Sequence, residues 1–245
     1  MLTLREIFKV RTREVDQHGK LKLSAVADYL QEAAARHTTL HGIGPFQLRT
    51  KNLFWVLSRL RIDIFNYPEW GENVIVKTWP KGSRQIVASR DFLLEKEDGS
   101  PVGVATSQWL LLNADTKKPC SLELVATAFP ILPDVPPAIA EAPPKVPKLP
   151  RCDHRITHDP CFSDIDLNDH LNNTRYVDWA IDALPPTVQD RQITSLAVNY
   201  LSEIKYGETT TLTTAAIDGN TFDTEGEITA SGVAAFRTRI IFSQL

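Results

Sequence analysis

Hydrophobic residues first recur at helical spacing in the segment from Ser24 to Leu40. Its apolar positions recur as on one face of an α-helix, and are Val26, Ala27, Leu30, Ala33, Ala34 and Leu40. Ser24 is a suitable N-cap, and Gly42 lies just past the expected end, where glycine commonly terminates a helix. The pattern therefore predicts one long amphipathic helix.

After this helix the pattern changes to that of β-strands. Segments rich in β-branched and aromatic residues, bounded by polar turns, predict strands at Phe54–Phe65, Asn73–Trp79, Gln85–Glu97 and Val102–Asn113. Asp98-Gly99 is a typical hairpin turn between the last two of them. The first half of the chain is thus predicted to be a helix followed by an antiparallel sheet.

The second half repeats this order. Asn173–Leu184 has apolar residues on one helical face, and Pro185-Pro186 ends the helix because proline lacks the backbone N–H that a helix needs. Strand patterns follow at Thr194–Ile204, Thr209–Ile217, Phe222–Thr229 and Val233–Phe242, with a turn at residues 218–220. Arg155–His158 also alternates as a strand does.

Proline divides the two halves. Half of the 16 prolines lie between residues 130 and 150, which indicates an extended linker. The predicted organisation is an N-terminal unit at 1–125, a proline-rich linker at 126–150 and a C-terminal unit at 151–245.

Short matches in the same order relate the two halves. Asp164-Ile165-Asp166 corresponds to Glu14-Val15-Asp16, Asp178-Trp179 to Asp28-Tyr29, Tyr206-Gly207-Glu208 to Trp70-Gly71-Glu72, and Gly232-Val233-Ala234 to Gly103-Val104-Ala105. Their offset shrinks along the chain, as it would if the second copy had shorter loops. A duplicated unit of helix and antiparallel sheet gives an α+β fold.

Composition narrows the function classes. A chain of 245 residues with 42% hydrophobic residues can form one large domain or two fused ones, and a net charge of −3 does not favour nucleic-acid binding. No apolar run reaches the roughly 20 residues of a membrane span. The start, MLTLREIFKVRTREVD, alternates apolar and charged residues where a signal peptide would have an apolar core, so no targeting segment is expected. Three scattered cysteines indicate a reducing compartment, so a cytoplasmic location is predicted.

The densest polar cluster, residues 164–173, lies just before the second helix. Asp166, Asn168 and His170 offer a base, an amide donor and an imidazole near a helix N-terminus, where backbone N–H groups can stabilise an oxyanion. The alternative is an Asx-rich turn that only caps the helix. At the same positions the first copy has His18 and Lys20 opposite Asn168 and His170, and Tyr67 opposite Glu203, so only the second copy has the catalytic set.

Several segments together resemble the acyl-acyl carrier protein (acyl-ACP) thioesterases of plants and bacteria. They are REVDQHGKLKLSAVADYLQEAAARH at the first helix, LFWVLSRLRIDIFNYPEWGENVIVKTW in the first sheet and DIDLNDHLNNTRYVDW at the second helix. The last contains the most specific pattern, D-x-N-x-H-x-N-N-x-x-Y. The resemblance implies two tandem hot-dog units, each a long helix wrapped by an antiparallel sheet, with the acyl chain held between helix and sheet. Because only the second copy has the acid, amide and imidazole set, the first unit is expected to bind the acyl chain and the second to be catalytic.

The resemblance also implies a reaction, the hydrolysis of fatty acyl-ACP to free fatty acid and carrier protein. No cofactor and no metal are expected. The acidic residue of the family's Y-R-R-E-C segment falls on Glu203, and its cysteine is replaced by Ile204. Water attack is therefore expected, with Glu203 or Asp166 as base, His170 assisting proton transfer and Asn168 orienting the water or the carbonyl. Acyl carrier protein is the expected partner, and a homodimer stays open.

Rival functions remain open at this stage. An acyl-CoA thioesterase or a hydroxyacyl dehydratase could use the same fold, and a non-catalytic acyl-binding protein would use the polar cluster only as a cap. A serine hydrolase is disfavoured because the chain has no G-x-S-x-G motif. Cys152, His154, His158 and Cys161 have spacings similar to those of a zinc site, but the alternation around them favours a strand.

Overall fold

In the computed structural model, which describes residues 2–129 and 135–244, an antiparallel sheet and a helix recur in each half of the chain. The chain divides into two compact units, Met1–Pro143 (unit 1) and Pro144–Leu245 (unit 2). Within the described residues, no helix combines the length and apolar character that a transmembrane span requires. Both units are α+β, as the pattern predicts.

Unit 1 is built on a five-stranded sheet. Its elements are β1 (Leu4–Lys9), α1 (Leu23–Leu40), α2 (Pro45–Arg49), β2 (Leu53–Ile64), β3 (Asn73–Arg84), β4 (Val87–Lys96), β5 (Pro101–Asn113) and α3 (Glu123–Ala128). The strand order is β1-β3-β4-β5-β2, with antiparallel neighbours. Strand β1, a short alternation of apolar and charged residues, was not predicted and lies at the edge of the sheet.

Helix α1 packs on this sheet through small and aromatic residues. The Tyr29 ring stacks on Phe8 of β1 at a centroid distance of 4.5 Å, and Ala33 and Ala34 are buried. Small side chains let the helix approach the sheet closely. The alanine-rich stretch that signalled the helix is therefore also the face that it buries.

The two ends of α1 differ from each other in how well the sequence predicts them. Ser24 is not the N-cap: Lys22 occupies that position without a side-chain cap, and Ser24 lies in the first turn. At the other end Gly42 has φ +72°, its N–H donates to Thr39 O, and Ile43 N–H donates to Thr38 O. This pair of bonds is a Schellman motif, which explains why glycine follows the helix.

The strand boundaries in unit 1 also shift around Pro80. The expected end at Trp79 is wrong, because β3 continues to Arg84. Proline cannot donate to a ladder, and the pairing of β3 with β4 accommodates it by a register shift between Pro80 and Gly82. The turn that follows includes Gln85 at φ +55°, so β4 begins at Val87 and not at Gln85.

Unit 2 has the same design with shorter parts. Its elements are β6 (His154–His158), α4 (Arg175–Asp182), β7 (Ile193–Tyr200), β8 (Thr210–Ala216), β9 (Thr221–Ile228) and β10 (Val233–Phe242), in the strand order β7-β10-β9-β8-β6. Helix α4 is shorter than the predicted Asn173–Leu184. Strand β7 ends before the predicted Ile204 because the N–H groups of Leu201 and Ser202 both donate to Ala235 O, which bends the chain out of the ladder.

An aromatic cluster joins α4 to the sheet of unit 2. Tyr176 meets Phe236 of β10 and Tyr200 of β7 edge-to-face, at centroid distances of 5.1 and 5.4 Å. Gly226 on β9 has no side chain to occupy the space of the Phe236 ring, which a Cβ there would overlap. The cluster holds the first turn of α4 against the end of β7, next to the polar segment of interest.

The described part of the predicted linker at 126–150 is bound to the units. Residues 126–128 complete α3, and 130–134 lie outside the described residues. Asp91 accepts a hydrogen bond from Ala138 N–H at 2.9 Å, and Lys81 Nζ donates to three consecutive carbonyls beginning at Ile139. In unit 2, Asn199 accepts from Val146 N–H at 2.8 Å. Each end is thus an extended strap on its own unit.

Candidate active site

The predicted catalytic segment forms a tight loop organised by Asp166. Its Oδ1 accepts the Asn168 N–H at 2.7 Å, and its own N–H donates to His170 O at 2.8 Å. Asp169 N–H donates to Asp166 O at 3.1 Å, and Asp169 has φ +64°. This positive φ reverses the chain so that Asn168 and His170 flank the turn. Asn168 is exposed and His170 half-buried.

Glu203 reaches this loop from the chain that follows β7. Leu171 N–H donates to Ile204 O at 2.8 Å, and Ile204 N–H donates to the Tyr176 hydroxyl at 3.2 Å. The result is a contact of 2.8 Å between Glu203 Oε2 and His170 Nε2, with side chains 41% and 18% exposed. An ionised carboxylate can only accept a hydrogen bond, so His170 Nε2 is the donor when Glu203 is ionised. Two residues 33 positions apart in sequence thus form one acid-base unit.

The corresponding loop of unit 1 has the same backbone without these side chains. Asp16 Oδ1 accepts the N–H groups of His18 and Lys20 at 2.8 and 3.0 Å, and Asp16 N–H donates to Lys20 O at 2.8 Å. Gly19 has φ +75° where unit 2 has Asp169. Leu21 N–H donates to Pro68 O, as Leu171 does to Ile204 O. The aspartate therefore forms this loop in both units.

The backbone at the start of α4 is largely used within the chain. Arg175 N–H donates to Asn172 O, while Val177 and Asp178 N–H both donate to Thr174 O. Asn172 Oδ1 also accepts the Thr174 N–H at 3.0 Å. These four backbone N–H groups already donate hydrogen bonds within the chain, so they are not free to stabilise an oxyanion as the sequence had suggested. Asn168, which carries a side-chain amide, is exposed.

Tyr176 is the last residue of the D-x-N-x-H-x-N-N-x-x-Y pattern, and the sequence indicated no role for it. Burial is the main reason that the pKa of its phenol lies above the usual value, and the negative charges of Glu203 and Asp166 raise it further. The phenol therefore stays neutral, within electrostatic reach of both candidate bases. Tyr200 behaves alike: burial raises its pKa, and its hydroxyl donates to Asn173 O at 3.1 Å.

The cysteine and histidine residues with zinc-like spacing do not form a metal site in the described structure. His154 and His158 are the first and last residues of β6, which confirms the predicted strand, and four residues of strand span about 13 Å. Cys161 is exposed and its N–H donates to Asp164 Oδ2 at 2.9 Å. In residues 2–129 and 135–244, no cluster of three or more histidine, cysteine, aspartate or glutamate side chains could hold a metal ion.

Unit 1 contains a buried cation that the sequence analysis missed. The Arg90 guanidinium donates to His37 Nδ1 at 3.0 Å and to Thr78 Oγ1 at 3.1 Å, and lies over the Phe129 ring. Burial lowers the pKa of Arg90 to about 10. His37 itself is buried in the interior. The sequence signal for this buried cation was an arginine at an inward-facing position of the predicted strand, which is now β4.

Comparison with known families matches both halves of the chain. The description "Acyl-ACP thioesterase N-terminal domain" matches residues 2–126, and "Acyl-ACP thioesterase C-terminal domain" matches residues 151–244. Oleoyl-acyl carrier protein thioesterase 1, chloroplastic, of Arabidopsis thaliana is 28% identical over 238 residues, which are 89% of this chain and 66% of that protein. Palmitoyl-acyl carrier protein thioesterase, chloroplastic, of Cuphea hookeriana is 28% identical over 82% of this chain and 52% of its own length. The chain thus spans about half to two thirds of these relatives.

Solved structures agree with the fold. An acyl-ACP thioesterase from Bacteroides thetaiotaomicron is 27% identical, with a TM-score of 0.86 over 98% of both chains. The 12:0-ACP thioesterase from Umbellularia californica, at 24% identity, has the same TM-score over 99% of this chain and 94% of its own. They confirm the predicted α+β class of two tandem hot-dog units. Since the two family descriptions cover nearly all of the sequence, the chain belongs to the acyl-ACP thioesterase family.

Proposed function

We propose that this protein hydrolyses fatty acyl thioesters of acyl carrier protein, releasing free fatty acid. The observation that carries the proposal is the 2.8 Å contact of Glu203 with His170 beside the exposed Asn168, in a chain of this family. A carboxylate, an imidazole and an amide are sufficient to activate water and to bind a carbonyl oxygen. Unit 1, which lacks this set, is proposed to bind the acyl chain.

In the proposed reaction, Glu203 takes a proton from water as the water oxygen bonds to the thioester carbon. The Asn168 amide donates to the carbonyl oxygen as it becomes negative. The C–S bond breaks when this tetrahedral adduct collapses, and the Glu203–His170 pair returns the proton to the departing thiolate. The products are the fatty acid and the free thiol of the carrier, so atoms and charge balance without a cofactor.

Of the two candidate bases, Glu203 is the one that we assign. One oxygen of Asp166 is held by the Asn168 N–H, and Asp16 makes the same kind of contact in the unit that lacks the set. Asp166 is therefore proposed to shape the loop and to keep Asn168 and His170 in place. Its contribution to catalysis acts through those two residues.

An enzyme-bound acyl intermediate is not required. Ile204 stands where the family segment has cysteine, and its side chain is completely buried. Cys161 is five residues before Asp166, and its backbone belongs to the turn that precedes the loop. Water is thus the proposed nucleophile.

Product analysis with a series of acyl-ACP thioesters tests the function. Free fatty acid should accumulate over many turnovers, and Glu203→Gln should lower kcat by about 10²-fold or more, because it keeps the shape and removes the base. The matched change Tyr67→Phe in unit 1 should leave kcat unchanged. Fatty-acyl binding at one equivalent without turnover would instead identify an acyl-binding protein.

The second candidate function is that of an acyl-CoA thioesterase. An assay with the same acyl chain on coenzyme A and on acyl carrier protein distinguishes the two functions. We propose that the carrier protein is preferred, so kcat/KM should be higher for acyl-ACP than for the matching acyl-CoA. A reversed preference would make the protein an acyl-CoA thioesterase with the same chemistry. The cytoplasmic location and a homodimer stay predictions, which cell fractionation and light scattering would test.

A further inference from the structure

The Tyr176 hydroxyl contacts the chain at the residue next to Glu203. It accepts the Ile204 N–H at 3.2 Å, and the carbonyl of the same residue accepts the Leu171 N–H at 2.8 Å. Ile204 is therefore held on its N–H side by helix α4 and on its carbonyl side by the loop that carries His170. The position of the Glu203 backbone is set by these two bonds.

Tyr176 itself is rigidly placed. Its ring packs edge-to-face on Phe236 and Tyr200, and the residue is only 3% exposed. Because Ile204 is also buried, its N–H has no access to water as an alternative partner. A buried donor left without an acceptor is unfavourable, so the loss of this hydroxyl would make the chain around Glu203 move.

The hydrogen bond from Ile204 N–H to the Tyr176 hydroxyl occurs in the unit that has Glu203 and His170, and its counterpart cannot form in unit 1. The unit 1 counterpart of Ile204 is Pro68, which has no N–H, and the helix position that corresponds to Tyr176 is Val26, which has no hydroxyl. The carbonyl side is unchanged, since Leu21 N–H donates to Pro68 O. Donor and acceptor are both present in the unit with Glu203 and both absent from the unit with Tyr67.

We propose that Tyr176 is a positioning residue for the thioesterase reaction, which holds Glu203 against His170 through the Ile204 backbone. The inference rests on the proposed function. The 2.8 Å contact between Glu203 and His170 joins two loop segments, and a half-exposed glutamate side chain has several rotamers. Fixing its backbone reduces the conformations in which the carboxylate is away from the imidazole. Tyr176 does not touch the reacting atoms in this role.

The test is a double-mutant cycle of Tyr176→Phe with Glu203→Gln on the full chain. Tyr176→Phe should lower kcat by about 10-fold, the equivalent of one buried hydrogen bond, and should change KM by less than about 2-fold. In the Glu203→Gln background the same change should have almost no effect on kcat, because the carboxylate that it positions is absent. A merely structural role would lower kcat equally in both backgrounds.

Breaking the bond from its other end provides a second variant. Ile204→Pro removes the N–H and keeps the carbonyl that accepts the Leu171 N–H. It should lower kcat as predicted for Tyr176→Phe, and it tests the same bond if Tyr176→Phe does not fold. The control is Tyr29→Phe, which removes a phenol hydrogen bond to Glu14 in unit 1 and should leave kcat unchanged. Each variant is assayed well below its own Tm.

Two outcomes would overturn the inference. One is a Tyr176→Phe enzyme with wild-type kcat, and the other is an equal loss of kcat from Tyr176→Phe with and without Glu203. The proposed function fails in a different way, when the wild-type protein itself releases no fatty acid from acyl-ACP.

Discussion

The loops that begin at Asp16 and Asp166 have one backbone and two sets of side chains. In both, the aspartate carboxylate accepts a backbone N–H two residues later, and its own N–H donates to the carbonyl four residues later. In both, the residue three positions after the aspartate has a positive φ. The loop geometry therefore does not by itself create a catalytic site.

The two units differ at the three positions that are proposed to carry the chemistry. Unit 2 has Asn168, His170 and Glu203 where unit 1 has His18, Lys20 and Tyr67. Burial raises the pKa of Tyr67, so this phenol stays neutral and cannot replace a carboxylate base near pH 7. We therefore propose that duplication preserved the backbone scaffold and that only the second copy carries out the chemistry.

The largest effect is expected at the imidazole. His170→Ala removes the partner of Glu203 and should lower kcat by about 10²- to 10⁴-fold with little change in Tm. Lys20→Ala, at the same place in unit 1, should leave kcat unchanged. Steady-state kinetics with acyl-ACP measures both. Equal losses would mean that the two loops share the chemistry.

Removal of the amide should have the next largest effect. Asn168→Ala takes away the proposed donor to the carbonyl oxygen and should lower kcat by about 10²-fold, since the oxyanion forms only during the reaction. The paired change is His18→Ala, which we expect to be silent. If Asn168→Ala raised only KM, the amide would bind substrate and transition state equally, and its proposed role would be incorrect.

A smaller effect, on stability, is expected at the positive-φ position. Asp169→Gly should raise the free energy of unfolding by about 0.5 kcal/mol, because glycine adopts this conformation without steric cost. Gly19→Ala should lower it by about 1 kcal/mol for the converse reason. Denaturant unfolding measures both changes. A destabilised Asp169→Gly protein would show that the Asp169 side chain makes a stabilising contact.

The smallest effect is expected from thiol modification. Saturating treatment with an alkylating reagent should leave kcat within about 2-fold of the untreated enzyme, because the proposed nucleophile is water and not a thiolate. Cys152 and Cys161 are exposed, so the reagent can reach them. Mass spectrometry would verify their modification, and Cys161→Ser is the control for steric effects. A folded Cys161→Ser protein without turnover would make Cys161 the nucleophile.

The sequence by itself determined the main helix of each unit and the series of strands that follows it, and it predicted the type of chemistry. Spacing of apolar residues located α1 to within one residue, because the buried face of a helix recurs every three to four positions. The short matches between halves identified the duplication, and the motif around Asp166 predicted the segment of the candidate site. These properties are local in the chain, or repeat at a fixed offset, so a linear pattern contains them.

Tertiary structure alone decided which of these residues meet. The contact of His170 with Glu203 depends on the bend after Tyr200, where two N–H groups share Ala235 O, and strand propensity had extended β7 past this point. The hydrogen bonds from Ile204 to Tyr176 and from Arg90 to His37 likewise join residues far apart in sequence. Side-chain pairing across a fold depends on packing between distant segments, and residue spacing along the chain does not encode that packing.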